Sequence, residues 1–445
     1  MKRERGPVAL TLVVVVLLVV ALTLGVAAKV GAVAPADPQP AKNVIVFIGD
    51  GMGPEHTELG SLVYGPMAIE TLAWDASGWL DTSSLSGVTW SCAAGTALAT
   101  GYETYNGWVG MSPDDYGDPV VRENALEAAE DLGKASGLVT DVYIQDATPA
   151  AFSAHVPDRY LKDGPGGIVA QQLAQDIEVL FGAHAGRLDA YLDQPGVTYS
   201  TSLKDLQPYL AGREEWPEKL WGFYGKNSMV YDIDREEEGV VKKQPTLPQM
   251  TRAALEVLEQ DEDGFFLMVE GGAIDWVSHY RDAAATALEV REFNEALELA
   301  YRWAESHPGT LLIVTADHET GGLAVGPDAD ARALLEQSAS TEWMWGLIKS
   351  GAMTIRKTLG AYAGFDPTAA EVAHIELYGE HGISDVLAAR ADIGWGWSGR
   401  DEGDHTDTPV PVRAVGPGAE FFAGGSEAAP VPNETVGQAL LRILQ

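Results

Sequence analysis

Residues 43–50 read NVIVFIGD, an apolar run that ends on a glycine and then an aspartate. The run shows neither alternation nor helical spacing, which predicts a strand buried on both faces of a parallel sheet. Similar runs lie at 136–140, 264–269, 311–316 and 410–415, separated by helical stretches such as 248–260 and 282–305. This alternation predicts an α/β three-layer sandwich, with a central, mostly parallel sheet covered by helices on both faces. Asp50 follows the first of these strands, Glu270 the one ending at 269, and Asp317 with His318 the one ending at 316. Open α/β sheets bind ligands beyond the carboxyl ends of their strands, so these four side chains are expected to converge on one edge.

The chain of 445 residues is 46% hydrophobic with 12 Trp and 15 Tyr, enough for a large core. Its 29 basic and 65 acidic residues leave a net charge of −36, which disfavours nucleic acid or anionic lipid as a partner. The single cysteine, Cys92, excludes an intrachain disulfide. A basic start followed by an uncharged run from Gly6 to Ala28 predicts a signal peptide or N-terminal membrane anchor over 1–34, and so an extracytoplasmic location. A Pro/Ala linker over 35–42 then leads into one catalytic domain, 43–445. Residues 325–404, with weak strand signals and many turns, are expected to leave the sheet before the chain returns at His405.

Four short stretches carry the chemistry. LSGVTWSCAAGTA (85–97) sets Ser91 beside Cys92, two possible nucleophiles at the start of a small-residue helix. In FFLMVEGGAIDWVSHYRD (265–282), Asp275 and His279 are four apart, share one helical face and can grip one zinc ion. TADHETGG (315–322) adds Asp317 and His318, and GDHTDTPVPV (403–412) adds His405. Mixed Asp/His sets suit zinc, and all-oxygen sets suit magnesium.

Together with Asp50-Gly51-Met52-Gly53, Gln145 to Ala151, His155 to Arg159 and Glu270-Gly271-Gly272, these motifs resemble alkaline phosphatases, in the family's order, from about residue 43 to the end. The resemblance implies hydrolysis of phosphate monoesters through a phosphoserine on Ser91, with Arg159 clamping the phosphoryl oxygens. It implies two zinc ions and one magnesium ion. Asp275, His279 and His405 would hold the first zinc; Asp50, Asp317 and His318 the second, with Ser91 as a further ligand. Asp50, Thr148 and Glu270 would hold the magnesium, with Asp146 beside it. Homodimerisation and membrane anchoring through the N-terminus are candidate associations.

Two positions depart from the family pattern. Trp90 stands where an aspartate commonly precedes the nucleophile, so Arg159 is expected to lack that carboxylate and to be more mobile, unless the indole stacks on it. Trp276 stands where Lys or His often follows the aspartate ligand, which removes a basic group near the third metal. Sulfatases share the general fold, but their cysteine conversion needs C-x-P-x-R, and Cys92 is followed by Ala93, Ala94, Gly95 and Thr96. Rival functions are a diesterase of the same fold and an inactive phosphate-binding surface protein. His155 is expected to support the loop that carries Arg159.

Overall fold

The computed structural model describes residues 40–186, 188–396 and 405–444. The expectations for 1–39, and the stretch 397–404 within the excursion, lie outside the described residues. Among the described residues no helix is long and apolar enough to cross a membrane.

Ten strands form the central sheet: β1 (Asn43–Gly49), β2 (Ala76–Asp81), β3 (Ala135–Tyr143), β4 (Val179–His184), β5 (Thr198–Ser200), β6 (Leu220–Lys226), β7 (Phe265–Gly271), β8 (Thr310–Ala316), β9 (Val410–Val415) and β10 (Val431–Pro432). Their spatial order is β10-β2-β9-β8-β1-β7-β3-β4-β6-β5. At the centre, Val44 of β1 pairs in parallel with Leu311 of β8 and Phe266 of β7, and every residue of these three strands is buried. Two covered faces explain why the sequence shows solid apolar runs there.

β9 departs from the parallel pattern, running antiparallel to both β8 and β2. His405 lies just upstream of β9, so a chain that returns at the ligand-bearing edge must enter β9 from that edge and run the opposite way. Helices 54–64, 247–258 and 283–306 pack together on one face of the sheet. Helices 91–100, 125–131, 147–151 and 434–443 cover the other.

The excursion is more regular than its sequence suggests. Strand Leu323–Val325 pairs antiparallel with Ile393–Trp395, and five helices lie between them, at 331–335, 341–349, 355–362, 369–378 and 380–391. They enclose a small core around Met344, Leu359, Ile375 and Ile383. Side-chain caps from Ser340, Thr354 and Thr368 start three of the helices. Each helix is short and buries few residues, which keeps its periodicity faint.

Candidate functional site

The carboxyl ends of β1, β7 and β8 present Asp50, Glu270 and the pair Asp317/His318 to one edge. The turn after β1 depends on Gly51, whose φ is +72°. A Cβ there would stand 2.7 Å from Thr320 Oγ1 and 3.0 Å from the Asp275 Cα. Asp275 and His279 project from one short helix, Ala273–His279. His405 lies on a two-residue strand paired with Glu319–Thr320, and Ser91 opens helix Ser91–Thr100.

These residues form two compact groups, in each of which the ligand atoms lie within 4.8 Å of one another: Asp275/His279/His405 and Asp50/Asp317/His318. In the first, His279 Nε2 is 3.2 Å from Asp275 Oδ2 and 3.3 Å from His405 Nε2. In the second, His318 Nε2 is 3.2 Å from Asp317 Oδ2 and 3.4 Å from Asp50 Oδ1. Stacking of His318 on His405, at 3.6 Å between centroids, joins the groups. Ser91 Oγ lies 3.1 Å from His318 Nε2 and 3.4 Å from Asp50 Oδ1, at the edge of the second group. Cys92 is instead fully buried, with its Sγ accepting the Gly107 N–H at 3.0 Å. Burial raises its pKa, so it stays a thiol.

The electrostatics of the edge call for cations. Burial, then the neighbouring Asp317, Asp275, Glu270 and Asp146 carboxylates, push Asp50 well above the usual range. Burial likewise raises Glu270, and lifts Asp317 to about 7. Burial and the adjacent His405 hold His318 well below its ordinary value, leaving a neutral imidazole able to ligate a metal. Burial alone would raise Asp275, yet His279 and His405 bring it well below the usual carboxylate range. Among the described residues, buried Asp317 Oδ2 and Glu270 Oε1 accept no hydrogen bond, although the His318 ring nitrogen lies 3.2 Å from Asp317 Oδ2. Orphaned buried carboxylate oxygens of this kind fit metal ligation, as does the mixed Asp/His donor set.

Thr148 Oγ1 lies 3.3 Å from Asp50 Oδ2 and its hydroxyl also acts on Glu270, whose Oε2 accepts the Thr140 hydroxyl at 2.6 Å, so Asp50 links the second group to Thr148 and Glu270. After burial, Asp146 is among the charges that raise both Asp50 and Glu270, so it borders this set as well as Arg159. Its Oδ1 accepts Arg159 Nη2 at 2.5 Å and the Tyr143 hydroxyl at 2.7 Å. Arg159 has no carboxylate from position 90, and Asp146 gives it one from the next motif. No stacking of the Trp90 indole on this guanidinium is present among the described residues.

Several supporting residues escaped the sequence. The Thr89 carbonyl accepts His405 Nδ1–H at 2.8 Å and so turns Nε2 toward the first group. Thr320 donates to Asp275 Oδ1 at 2.5 Å. Lys162 lies with its Nζ 4.0 Å from the centre of the Tyr143 ring, close enough to Asp146 and Arg159 for each to act on its pKa. Their signal in the sequence was only adjacency to a motif. His155 behaves as expected: it bonds Glu127 at 2.7 Å and the Gly110 carbonyl at 2.8 Å, and its neighbour Val156 pairs with Val109. His56 is a buried core histidine, 3.1 Å from Ser278 Oγ, with its pKa lowered by burial to about 3.

Ser91, Arg159 and the first group open into a pocket of about 330 Å³, walled by Trp90, Tyr143, Tyr160, Trp276 and Tyr280. A nucleophile, a guanidinium and clustered ligands in one cleft suit transfer of a phosphoryl group.

The sequence matches the alkaline phosphatase family over residues 41–188 and 188–440. It is 32% identical to alkaline phosphatase 4 of Bacillus subtilis over 419 residues, covering 86% of this chain and 85% of the relative. The fold is similar to the crystal structure of Thermus thermophilus alkaline phosphatase, with a TM-score of 0.78, 27% identity, and coverage of 93% and 94% of the two chains. The cold-active alkaline phosphatase of Shewanella sp. gives a TM-score of 0.75 at 27% identity, over 91% of this chain and all of that one. A match that runs through every stretch bearing the edge residues leaves one conclusion: the chain belongs to the alkaline phosphatase family and is a phosphatase of phosphate monoesters.

Proposed function

We propose that the protein is an exported phosphomonoesterase that works through a phosphoserine on Ser91 at a site for two zinc ions and one magnesium ion. Asp275, His279 and His405 would hold one zinc, and Asp50, Asp317 and His318 the other with Ser91 beside them. Asp50, Thr148 and Glu270, all hard oxygen donors, suit magnesium, with Asp146 nearby. When bound, such ions lower the pKa of a hydroxyl or water and neutralise charge on the entering and leaving oxygens.

Ser91 Oγ attacks phosphorus, the bond to the alcohol oxygen breaks, and the alcohol leaves with a proton. Water then attacks the phosphoserine, restoring the hydroxyl and releasing inorganic phosphate. Arg159, held through one nitrogen by Asp146, keeps its remaining donors for the phosphoryl oxygens. The observation that carries this proposal is Ser91 Oγ beside the second group, in the pocket Arg159 enters. The basic start and the uncharged run from Gly6 to Ala28 support export.

The test is hydrolysis of 4-nitrophenyl phosphate before chelation, after it, and after zinc and magnesium are restored, with bis(4-nitrophenyl) phosphate as the diester comparison. Loss and recovery on the monoester, with far slower diester turnover, is the expected result. Diester turnover equal to monoester turnover would overturn the assignment.

A further inference from the structure

The catalytic pocket has a neighbour. A second cavity, of about 520 Å³, shares Trp276 and Tyr280 as walls with the first. Its far side is built by the excursion, through Glu342, Trp343 and Leu347 of helix 341–349. The Ser340 hydroxyl caps that helix by accepting the Trp343 N–H at 3.0 Å, which fixes how Glu342 and Trp343 are presented. Residues 227–238 close the remaining wall.

The lining has a definite chemistry. Aromatic surface comes from Tyr231, Trp276, Tyr280 and Trp343, and charge from Asp234, Glu238 and Glu342; among the described residues no Lys or Arg lines the cavity. Tyr231 is pushed well above its ordinary value by burial and then by the charge of Glu342. Asp234 accepts the Ser340 N–H at 2.7 Å, leaving Glu342 and Glu238 as the exposed charges. Aromatic faces beside carboxylates attract organic cations, through cation–π and ion-pair contacts together.

We propose, on the basis of the phosphomonoesterase assignment, that this cavity receives the leaving group, selecting monoesters whose alcohol part is extended and ends in an ammonium or guanidinium. The phosphoryl group sits at Ser91, the body of the alcohol crosses Trp276 and Tyr280, and the cation meets Glu342 against Trp343. The rest of the chemistry is ordinary ester hydrolysis, releasing the cationic alcohol and phosphate.

The test compares two aryl phosphates of equal length and leaving-group acidity, one with a para-aminoalkyl chain and one with a para-carboxyalkyl chain. Both are assayed on the metal-loaded enzyme at one pH and 0.15 M salt. We expect kcat/KM to favour the ammonium ester about tenfold, the sum of a gained attraction and an avoided repulsion. Glu342→Gln should cut that preference about two- to fivefold, the range for one partly exposed ion pair. Glu420→Gln, the loss of an exposed acid elsewhere, should leave it unchanged, which separates a local contact from the general attraction of a −36 protein for cations. Trp343→Ala should lower kcat/KM for the long ammonium ester relative to 4-nitrophenyl phosphate. Equal rates for the two esters, or one preference shared by wild type and Glu342→Gln, would overturn the subsite while leaving the phosphatase intact. Failure to turn over any monoester would overturn the underlying assignment, and the subsite with it.

Discussion

Replacing Asp146 by alanine removes the carboxylate that holds Arg159 among the described residues. The two side chains are 18% and 8% exposed, and Asp146 is itself fixed by the Tyr143 hydroxyl and by its bond to the Ala147 N–H. A hydrogen bond to a charged group is worth about 1.5–3 kcal/mol, and the lower end applies because the pair borders an open pocket. About 1.5 kcal/mol corresponds to roughly tenfold in binding. Asp146→Ala should therefore raise the inhibition constant of inorganic phosphate about tenfold and lower kcat/KM by a similar factor, since both depend on one clamp. Where product release limits turnover, kcat itself should hold or rise. Removing a negative charge near a dianion acts in the opposite direction, and Asp146→Asn isolates that effect. Its amide oxygen can still accept from Arg159, so it should bind phosphate at least as tightly as wild type. The assay is phosphate inhibition of 4-nitrophenyl phosphate hydrolysis at saturating zinc and magnesium, with metal content checked by elemental analysis. Phosphate binding to the alanine variant as tight as to wild type, at full metal content, would refute the role of Asp146 as a strut for the arginine.

The other perturbations bear on the nucleophile, the cations and the turn after β1. Ser91→Ala should abolish most activity, whereas Cys92→Ala should leave turnover nearly intact and cost about 1 kcal/mol of stability in a urea melt, because the half-buried Gly107 N–H loses its acceptor. Stripping the metal should abolish activity and lower Tm, and His405→Ala should weaken the first zinc most; zinc titration after dialysis measures both. In the metal-free protein Asp317 keeps its proton up to about pH 7 when folded and only to about pH 4 when unfolded. Asp50 and Glu270, which burial also raises, act with Asp317 to make the folded state hold more protons across that window. Together they outweigh the opposite contribution of the depressed His56 and His318, so the metal-free Tm should fall as pH rises from 5 to 8. The depressed Asp275 contributes a constant amount over the same range. A metal-free Tm that rose with pH would contradict the burial argument. Gly51→Ala should lower stability by at least about 1–2 kcal/mol, the cost of a left-handed backbone for alanine. It should also loosen both zinc positions, because the new methyl meets Thr320 and the backbone of Asp275.

The sequence made legible whatever depended on solid apolar runs and on ligands next to them. Whereas the roles of the remaining ligands came from the family resemblance, the three central strands, the two long helices near 247–258 and 283–306, and the convergence of Asp50, Glu270, Asp317 and His318 on one edge were placed from those signals. The outer strands were not. β2 (ASGWLD) and β6 (LWGFYGK) carry glycines and polar residues, and their β-structure follows from neighbours far away in sequence. The small excursion helices were lost for the same reason, since they pack chiefly on one another. At the site, a position compared with a family pattern told less than the space around it. The Trp90 departure showed which carboxylate was missing, but not that Asp146, 56 positions on, reaches the same guanidinium through the fold.

That substitution has a further consequence. Asp146 Oδ1 is engaged by Arg159 and Tyr143, so the third group would rest chiefly on the carboxylates of Asp50 and Glu270 with Thr148, and Asp146 borders it. Mg²⁺ keeps several of its waters and binds through one or two carboxylates, so a sparse oxygen set of this kind suits it. Asp50 also belongs to the second group, so filling either site changes the charge felt at the other. Ser91 lies 3.4 Å from Asp50 Oδ1, which puts its hydroxyl under the influence of both. Adding magnesium to the zinc-loaded enzyme should therefore raise the rate of phosphoserine formation, and burst kinetics read that step directly. Asp50 couples the sites by position alone, so the effect should survive in Asp146→Asn, where the arginine's partner is changed and the bridging carboxylate is not. An effect of magnesium that vanished in Asp146→Asn would instead place Asp146 among its ligands.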